Sequence, residues 1–198
     1  MDEAVRRAIS KWPNVPAVYG WLSLDRRGRW LLRDEPIENP TITAFIARNY
    51  EHDELGQWYF QNGPQRVFVD LEYTPMIVRV AEDSRFITHT SAHVSAIDGA
   101  WIDEYGRILV ATEHGVALVD DRDIDLLSGW ITAASTSFSD EDELIAAIED
   151  LQRGGVADLR MEYAAKTVPL RPIVAVDVPV RFHFAPHPQS TTGEAACK

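Results

Sequence analysis

Asp25-Arg26-Arg27-Gly28-Arg29-Trp30-Leu31-Leu32 and Asp103-Glu104-Tyr105-Gly106-Arg107-Ile108-Leu109-Val110 are two copies of one phrase: D-x-x-G-R, then apolar, Leu, apolar. A tryptophan, Trp21 or Trp101, precedes each copy, and a looser form runs from Asn62-Gly63-Pro64-Gln65-Arg66 to Val69. The Asp and Gly are what a tight hairpin turn demands, with Gly supplying the positive φ, and the apolar run suits a pleated strand. The phrase therefore predicts an α+β, strand-rich chain with two β-hairpin-based repeats. The Arg after Gly is the one residue that turn chemistry does not require. Arg29 and Arg107, with Arg66 of the looser copy, are the candidate ligand-binding residues, expected to face a cleft between the repeats.

Outward from the phrase, residues 2–11 read as a short amphipathic helix capped by Asp2, with Val5, Ala8, Ile9 and Trp12 on one face. Asn39-Pro40 opens a second helix over about 40–51, with Ile42, Phe45, Ile46, Asn49 and Tyr50 at helical spacing. Val67, Val69 and Leu71 alternate with Phe68, Asp70 and Glu72 as in a half-buried strand, and Met76 to Val80 forms another. Strands are predicted around 86–88, 94–97, 100–103, 107–112 and 116–119. A short helix or turn follows near 121–127. A helix over about 140–153 opens with a capping-box pattern, Ser139-x-x-Asp142, and ends at Gly154-Gly155. Pro169, Pro172 and Pro179 mark 168–184 as edge strand or arm rather than central strand. The expected organisation is 1–82 as the N-terminal β-repeat, 83–165 as the second repeat with its helix, 166–185 as an extended arm, and 186–198 as a polar, disordered tail.

The chain has 198 residues and a net charge of -12 from 31 acidic and 19 basic side chains. That balance argues against a phosphate-backbone partner, which needs a clustered basic face. Arg26, Arg27, Arg29 and Arg33 read as a solvated hairpin tip. The single cysteine, Cys197, forms no disulfide within the chain and fits a reducing compartment. Met1-Asp2-Glu3-Ala4 lacks a signal-peptide pattern, and no run is apolar enough to span a membrane. A cytoplasmic location is expected, with no nucleic-acid or membrane partner.

The familiar phosphate-cradle, dinucleotide, nucleophile-elbow and zinc-hydrolase motifs are absent. Asp121, Asp123 and Asp125 have the spacing of the first calcium-loop ligands, but Leu126 and Thr132 stand where that loop needs Gly and Glu, so the run reads as an acidic helix start. His89, His93 and His114 are the candidate metal ligands. The crowd of Trp21, Trp30, Trp58, Tyr59, Phe60, Phe68 and Tyr73 reads as sheet core and cross-strand pairing rather than a base-stacking platform.

Gly28-Arg29-Trp30, Glu35-Pro36-Ile37, the amphipathic helix, Trp58-Tyr59-Phe60, Pro64-Gln65-Arg66-Val67-Phe68-Val69 and Glu72-x-x-Pro75 together resemble a bacterial family that carries only a domain-of-unknown-function label. The resemblance is best over residues 20–80 and weaker over 100–120. It implies a mixed fold with repeated structural motifs and suggests a signalling or ligand-sensing role, with no catalytic residue to carry over. The leading expectation is a small-molecule-binding or regulatory module that is not an enzyme and needs no cofactor. The alternatives are a homo-oligomer assembling through the C-terminal arm and a metal-dependent enzyme using the histidines.

Overall fold

A computed structural model describes residues 1–12, 15–133, 141–155 and 157–190. The fold is α+β and strand-rich, and the chain divides into two compact units, Met1–Pro75 with the segment from His183 onward, and Met76–Phe182. Among the described residues each unit has its own sheet.

In the first unit, α1 (Glu3–Lys11) precedes β1 (Val18–Leu24), β2 (Trp30–Leu32), β3 (Glu35–Pro36), α2 (Pro40–Arg48), β4 (Tyr50–His52), β5 (Trp58–Asn62) and β6 (Gln65–Leu71). The sheet order is β3-β2-β1-β6-β5-β4, with β1 and β6 parallel. Asn39 caps α2 by accepting from the Thr41 and Ile42 amides, and Pro40 fills the first helical position. Phe45 packs edge-on against Phe60 at 5.4 Å, holding α2 on the sheet. Leu22, Leu24, Trp30, Ile46, Trp58, Phe60, Val69 and Leu71 are buried there.

The helix is shorter than its periodicity suggests. Asn49 donates its side-chain amide to the Phe45 carbonyl at 2.9 Å and accepts from the Asp2 amide at 2.7 Å. Tyr50–His52 then turns into an edge strand paired with β5. Pro186 and His187, read from sequence as the start of a tail, are engaged: the Leu71 amide donates to the Pro186 carbonyl at 2.8 Å, and His187 Nδ1 lies 3.3 Å from an Asp70 oxygen. Residues 191–198 lie outside the described residues.

In the second unit, β7 (Met76–Val80), β8 (Phe86–Thr88), β9 (Ile97–Ile102), β10 (Ile108–Thr112) and β11 (Gly115–Val119) are followed by α3 (Ile124–Leu127), β12 (Ile131–Ala133), α4 (Glu141–Gln152), β13 (Leu159–Tyr163), β14 (Lys166–Pro172) and α5 (Val178–Phe182). The sheet order is β12-β13-β14-β9-β10-β11-β7-β8. The Tyr163 hydroxyl ties the core together: it accepts from the Phe86 amide at 3.0 Å and donates to the Val94 carbonyl at 2.7 Å. The capping position expected at Ser139 lies outside the described residues.

β14 runs inside the sheet, between β13 and β9, although prolines punctuate it. Its ladder with β13 ends at Pro169 and its ladder with β9 spans Leu170–Pro172. Each proline thus sits where a ladder stops, so the missing N–H leaves no partner orphaned.

The internal repeat is real, but its copies differ from those the phrase marks. β2-β1-β6-β5-β4 in the first sheet and β8-β7-β11-β10-β9 in the second have the same order, with the same parallel closure of β1 on β6 and β7 on β11. The loop at Asp25 joins the first hairpin of its repeat and so matches Ala81–Arg85 between β7 and β8. The loop at Asp103 joins the first two strands of a meander and so matches Asp53–Gln57 between β4 and β5. The looser copy at 62–65 is a two-residue hairpin turn, as at Thr112–Gly115.

All four five-residue loops close identically. The first residue's amide donates to the fifth residue's carbonyl, and the fourth residue's amide donates to the first residue's carbonyl. The fourth residue has positive φ each time: Gly28 76°, Gly56 73°, Ser84 57° and Gly106 78°.

Candidate functional site

The Arg of D-x-x-G-R proves to be part of the turn. Asp25 Oδ1 accepts from the Arg27 and Arg29 amides, and its Oδ2 takes Arg29 Nε at 2.6 Å. Asp103 repeats this with the Tyr105 and Arg107 amides and Arg107 Nε at 2.7 Å. At Asp53 the same places are taken by the Leu55 and Gln57 amides and Gln57 Nε2, at 3.2 Å. A side chain donating back to the turn Asp is thus common to three loops.

Arg66 is differently placed. Its guanidinium lies 4.7 Å over the Tyr59 ring. Within the first sheet it is far from Arg29: Arg66 adjoins Val67, level with Val18, whereas Arg29 adjoins Trp30, level with Leu24 and Leu71. Four residues of β6 separate the two levels, on the order of 13 Å. Arg107 belongs to the other unit.

The histidine rings make separate contacts. His89 Nδ1 accepts from the Ile77 amide at 3.3 Å, while His114 Nε2 donates to the His93 backbone carbonyl at 3.0 Å, leaving the His93 ring out of that contact. Among the described residues no group of three or more His, Cys, Asp and Glu is arranged to hold a metal ion.

What the first sheet does assemble is a row of rings across its strands. β1 carries a bulge: Val18 pairs with Val67 and Leu22 with Val69, so residues 19–21 oppose Phe68 alone. Gly20, at φ 71°, makes this possible, and the bulge sets both Tyr19 and Trp21 opposite Phe68. Tyr19 stacks on Phe68 at 4.5 Å and 4°, and Phe68 meets Tyr59 edge-on at 5.7 Å. On the other side, Arg33 lies 4.0 Å over the Trp21 ring. Arg33 is fixed there because its amide donates to the Trp21 carbonyl at 2.8 Å, extending the β1–β2 ladder into the turn to β3.

The row has two parts: Arg33 on Trp21, and Tyr19, Phe68 and Tyr59 in succession with Arg66 over the far end. Tyr59 and Phe68 are buried, Tyr19 and Trp21 half-buried, and both arginines exposed. Burial pushes the Tyr19 phenol up; Asp53 adds to this and Arg66 opposes it. Burial likewise raises Tyr59, against Arg66 and with Glu51 and Asp53. Both phenols are therefore neutral near pH 7, and what the row presents to solvent is Tyr19, Trp21 and the two guanidinium groups. Among the described residues neither guanidinium has a carboxylate at ion-pair distance. Of this set, sequence reasoning marked only Arg66 as a site residue. The signal for the rest is Tyr19-Gly20-Trp21, a glycine between two aromatics inside a strand, which marks a bulge.

The fold and this face define a strand-rich α+β protein with an internal five-strand repeat. Residues 1–189 match the family model DUF2944, "Protein of unknown function (DUF2946)", and the chain belongs to that family. The match bears out the kinship with a domain-of-unknown-function family and runs well beyond residues 20–120. The fold is similar to that of a DUF1285 family protein from Silicibacter pomeroyi DSS-3, at 16% identity and TM-score 0.55, covering 82% of this chain and 86% of that one. A DUF1285 family protein from Shewanella baltica OS155 matches at 10% identity and TM-score 0.43, over 55% of this chain and 91% of its own. No curated protein matches. Among the described residues no helix is long and apolar enough to cross a membrane.

Proposed function

We propose that the chain is a small-molecule-binding, regulatory module whose site is the aromatic row of the first sheet. The observation that carries this reading is the pair of exposed guanidinium groups, Arg33 on Trp21 and Arg66 on Tyr59, flanking the stacked Tyr19–Phe68 pair. Rings offer a face for a planar body, and guanidinium forks offer paired donors for a carboxylate or phosphate. The fitting ligand is a small planar anion. Neutral phenols and permanently charged arginines hold and orient such a ligand without supplying a base or a nucleophile, which favours binding over turnover.

Thermal denaturation of the full chain with salicylate, adenosine monophosphate and flavin mononucleotide tests the reading. A ligand at a hundred times its Kd stabilises by about 2.7 kcal/mol, several degrees for a chain of this size. At least one probe is expected to raise Tm by that order. Arg66→Ala is expected to weaken that probe about tenfold, or about 1.4 kcal/mol. Silence from all three probes, or a shift that survives Arg66→Ala and Tyr19→Ala unchanged, overturns the proposal.

A further inference from the structure

The segment that follows β14 leaves its apolar side chains in solvent. Val174, Val176 and Val180 are 51%, 76% and 79% exposed. The backbone beneath them is firmly held. The Ile173 amide donates to the Ile102 carbonyl at 2.9 Å, and the Ala175 amide donates to Glu104 Oε2 at 2.8 Å. Phe182 anchors the far end against Trp101 at 4.9 Å. These valines therefore belong to a fixed surface rather than to a loose end, and a contiguous apolar patch on a fixed surface marks a contact site.

The charges on the same stretch point to the occupant. Ala175–Asp177 is a helical turn that runs directly into α5. Val176 and Val180 are thus one turn apart on a common face, and so are Asp177 and Arg181. Asp177 and Arg181 nevertheless form no ion pair with each other, nor with any other described residue. Arg181 instead lies over the Trp101 ring at 5.5 Å, with its donors available. A surface that carries an acid and a base one turn apart along the same flank of an apolar pair is complementary to itself when turned through a two-fold axis, because residue i then meets j and j meets i.

We infer that this face pairs with a second copy of the chain. Two segments run antiparallel, Val176 and Val180 pack against their counterparts, and Asp177 of each copy meets Arg181 of the other. The contact is small, which places it among weak or transient interfaces. The net charge of -12 opposes it at long range, so it forms best where salt screens that repulsion. It is independent of the aromatic row in the first unit.

Sedimentation velocity of the full chain at 0.15 M salt, over a range of concentrations, reads the outcome. A reversible monomer–dimer equilibrium is expected. Val180→Asp raises its Kd at least tenfold, and Arg181→Asp does the same by setting two carboxylates against each other. The double variant Asp177→Arg/Arg181→Asp restores Kd to within about threefold of wild type, since the exchanged pair again has opposite signs. All the altered side chains are exposed, and circular dichroism checks that each variant is folded. A chain that stays monomeric up to roughly 1 mM overturns the inference. So does a dimer indifferent to Val180→Asp, or one that the double variant fails to restore.

Discussion

Asp103 shows at the residue scale what the repeated phrase is for. Its side chain is fully buried, yet it accepts from two amides and a guanidinium, so its charge is met on every side by donors of the same five-residue loop. Asp25 makes the same bonds near solvent, at 11% side-chain exposure, with an Arg29 that is 60% exposed. Removing the acceptor leaves part-buried donors unmet in one loop and hydrated donors in the other. Asp103→Ala is therefore expected to destabilise its unit by about 2–3 kcal/mol and Asp25→Ala by about 1 kcal/mol or less. Urea midpoints at unchanged m-value measure the difference, and equal losses would show that burial of Asp103 plays no part.

Among the elements, the loops explain both what the sequence reveals and what it conceals. The strands around 18–24, 65–71, 76–80 and 108–119 are legible because apolar side chains alternate or run between turn residues. The repeat is legible in kind but not in register. D-x-x-G-R marks a loop chemistry, and that chemistry recurs with Gln57 in place of Arg and with Ser84 in place of Gly. The two best-matching strings thus come from loops at different places in their repeats. The aromatic row is illegible because it depends on counting three β1 residues against one on β6, which only the pairing reveals. Gly56 tests the loop account. A Cβ there would meet the His183 carbonyl oxygen, and the residue also has φ 73°. Gly63, at φ 58°, has open space around that position. Gly63→Ala is expected to lose only about 1 kcal/mol to the left-handed backbone, whereas Gly56→Ala loses that and the backbone clash, about 3 kcal/mol or more. Denaturant titration of the two variants distinguishes them, and equal losses would remove the role assigned to the close approach of His183.

For the whole molecule, two units with separate sheets imply two responses to acid. The second unit concentrates its carboxylate pairing where β7 meets the turn after β11. Arg79 donates twice to Asp123, at 3.2 and 3.1 Å, the Val80 amide donates to Asp123 at 2.8 Å, and Arg122 grips the buried Asp120 through both oxygens. Within the run Asp121, Asp123, Asp125 the Asp123 carboxylate is thus bound to arginine. Burial pushes the Asp120 carboxyl up, but the Arg122 side chain, the Arg122 amide and their charge outweigh it, and the group titrates at about 2 instead of 3.8. A carboxyl depressed by folding contributes stability in full above its unfolded value and loses it as pH falls through the folded one. The window is therefore pH 4 down to 2, and the contribution is about 1–2 kcal/mol after allowing for solvent around Arg122. Below its isoelectric point of about 4.8 the chain also becomes net positive, and the resulting self-repulsion acts on both units. The difference between units isolates the network. Between pH 4 and 2, amide exchange in β7 and β11 is expected to accelerate relative to β1 and β6, and Asp120→Asn, less stable at neutral pH, is expected to flatten that pH dependence. Exchange that accelerates equally in both sheets, or an Asp120→Asn chain with the wild-type slope, would place the acid-sensitive group elsewhere.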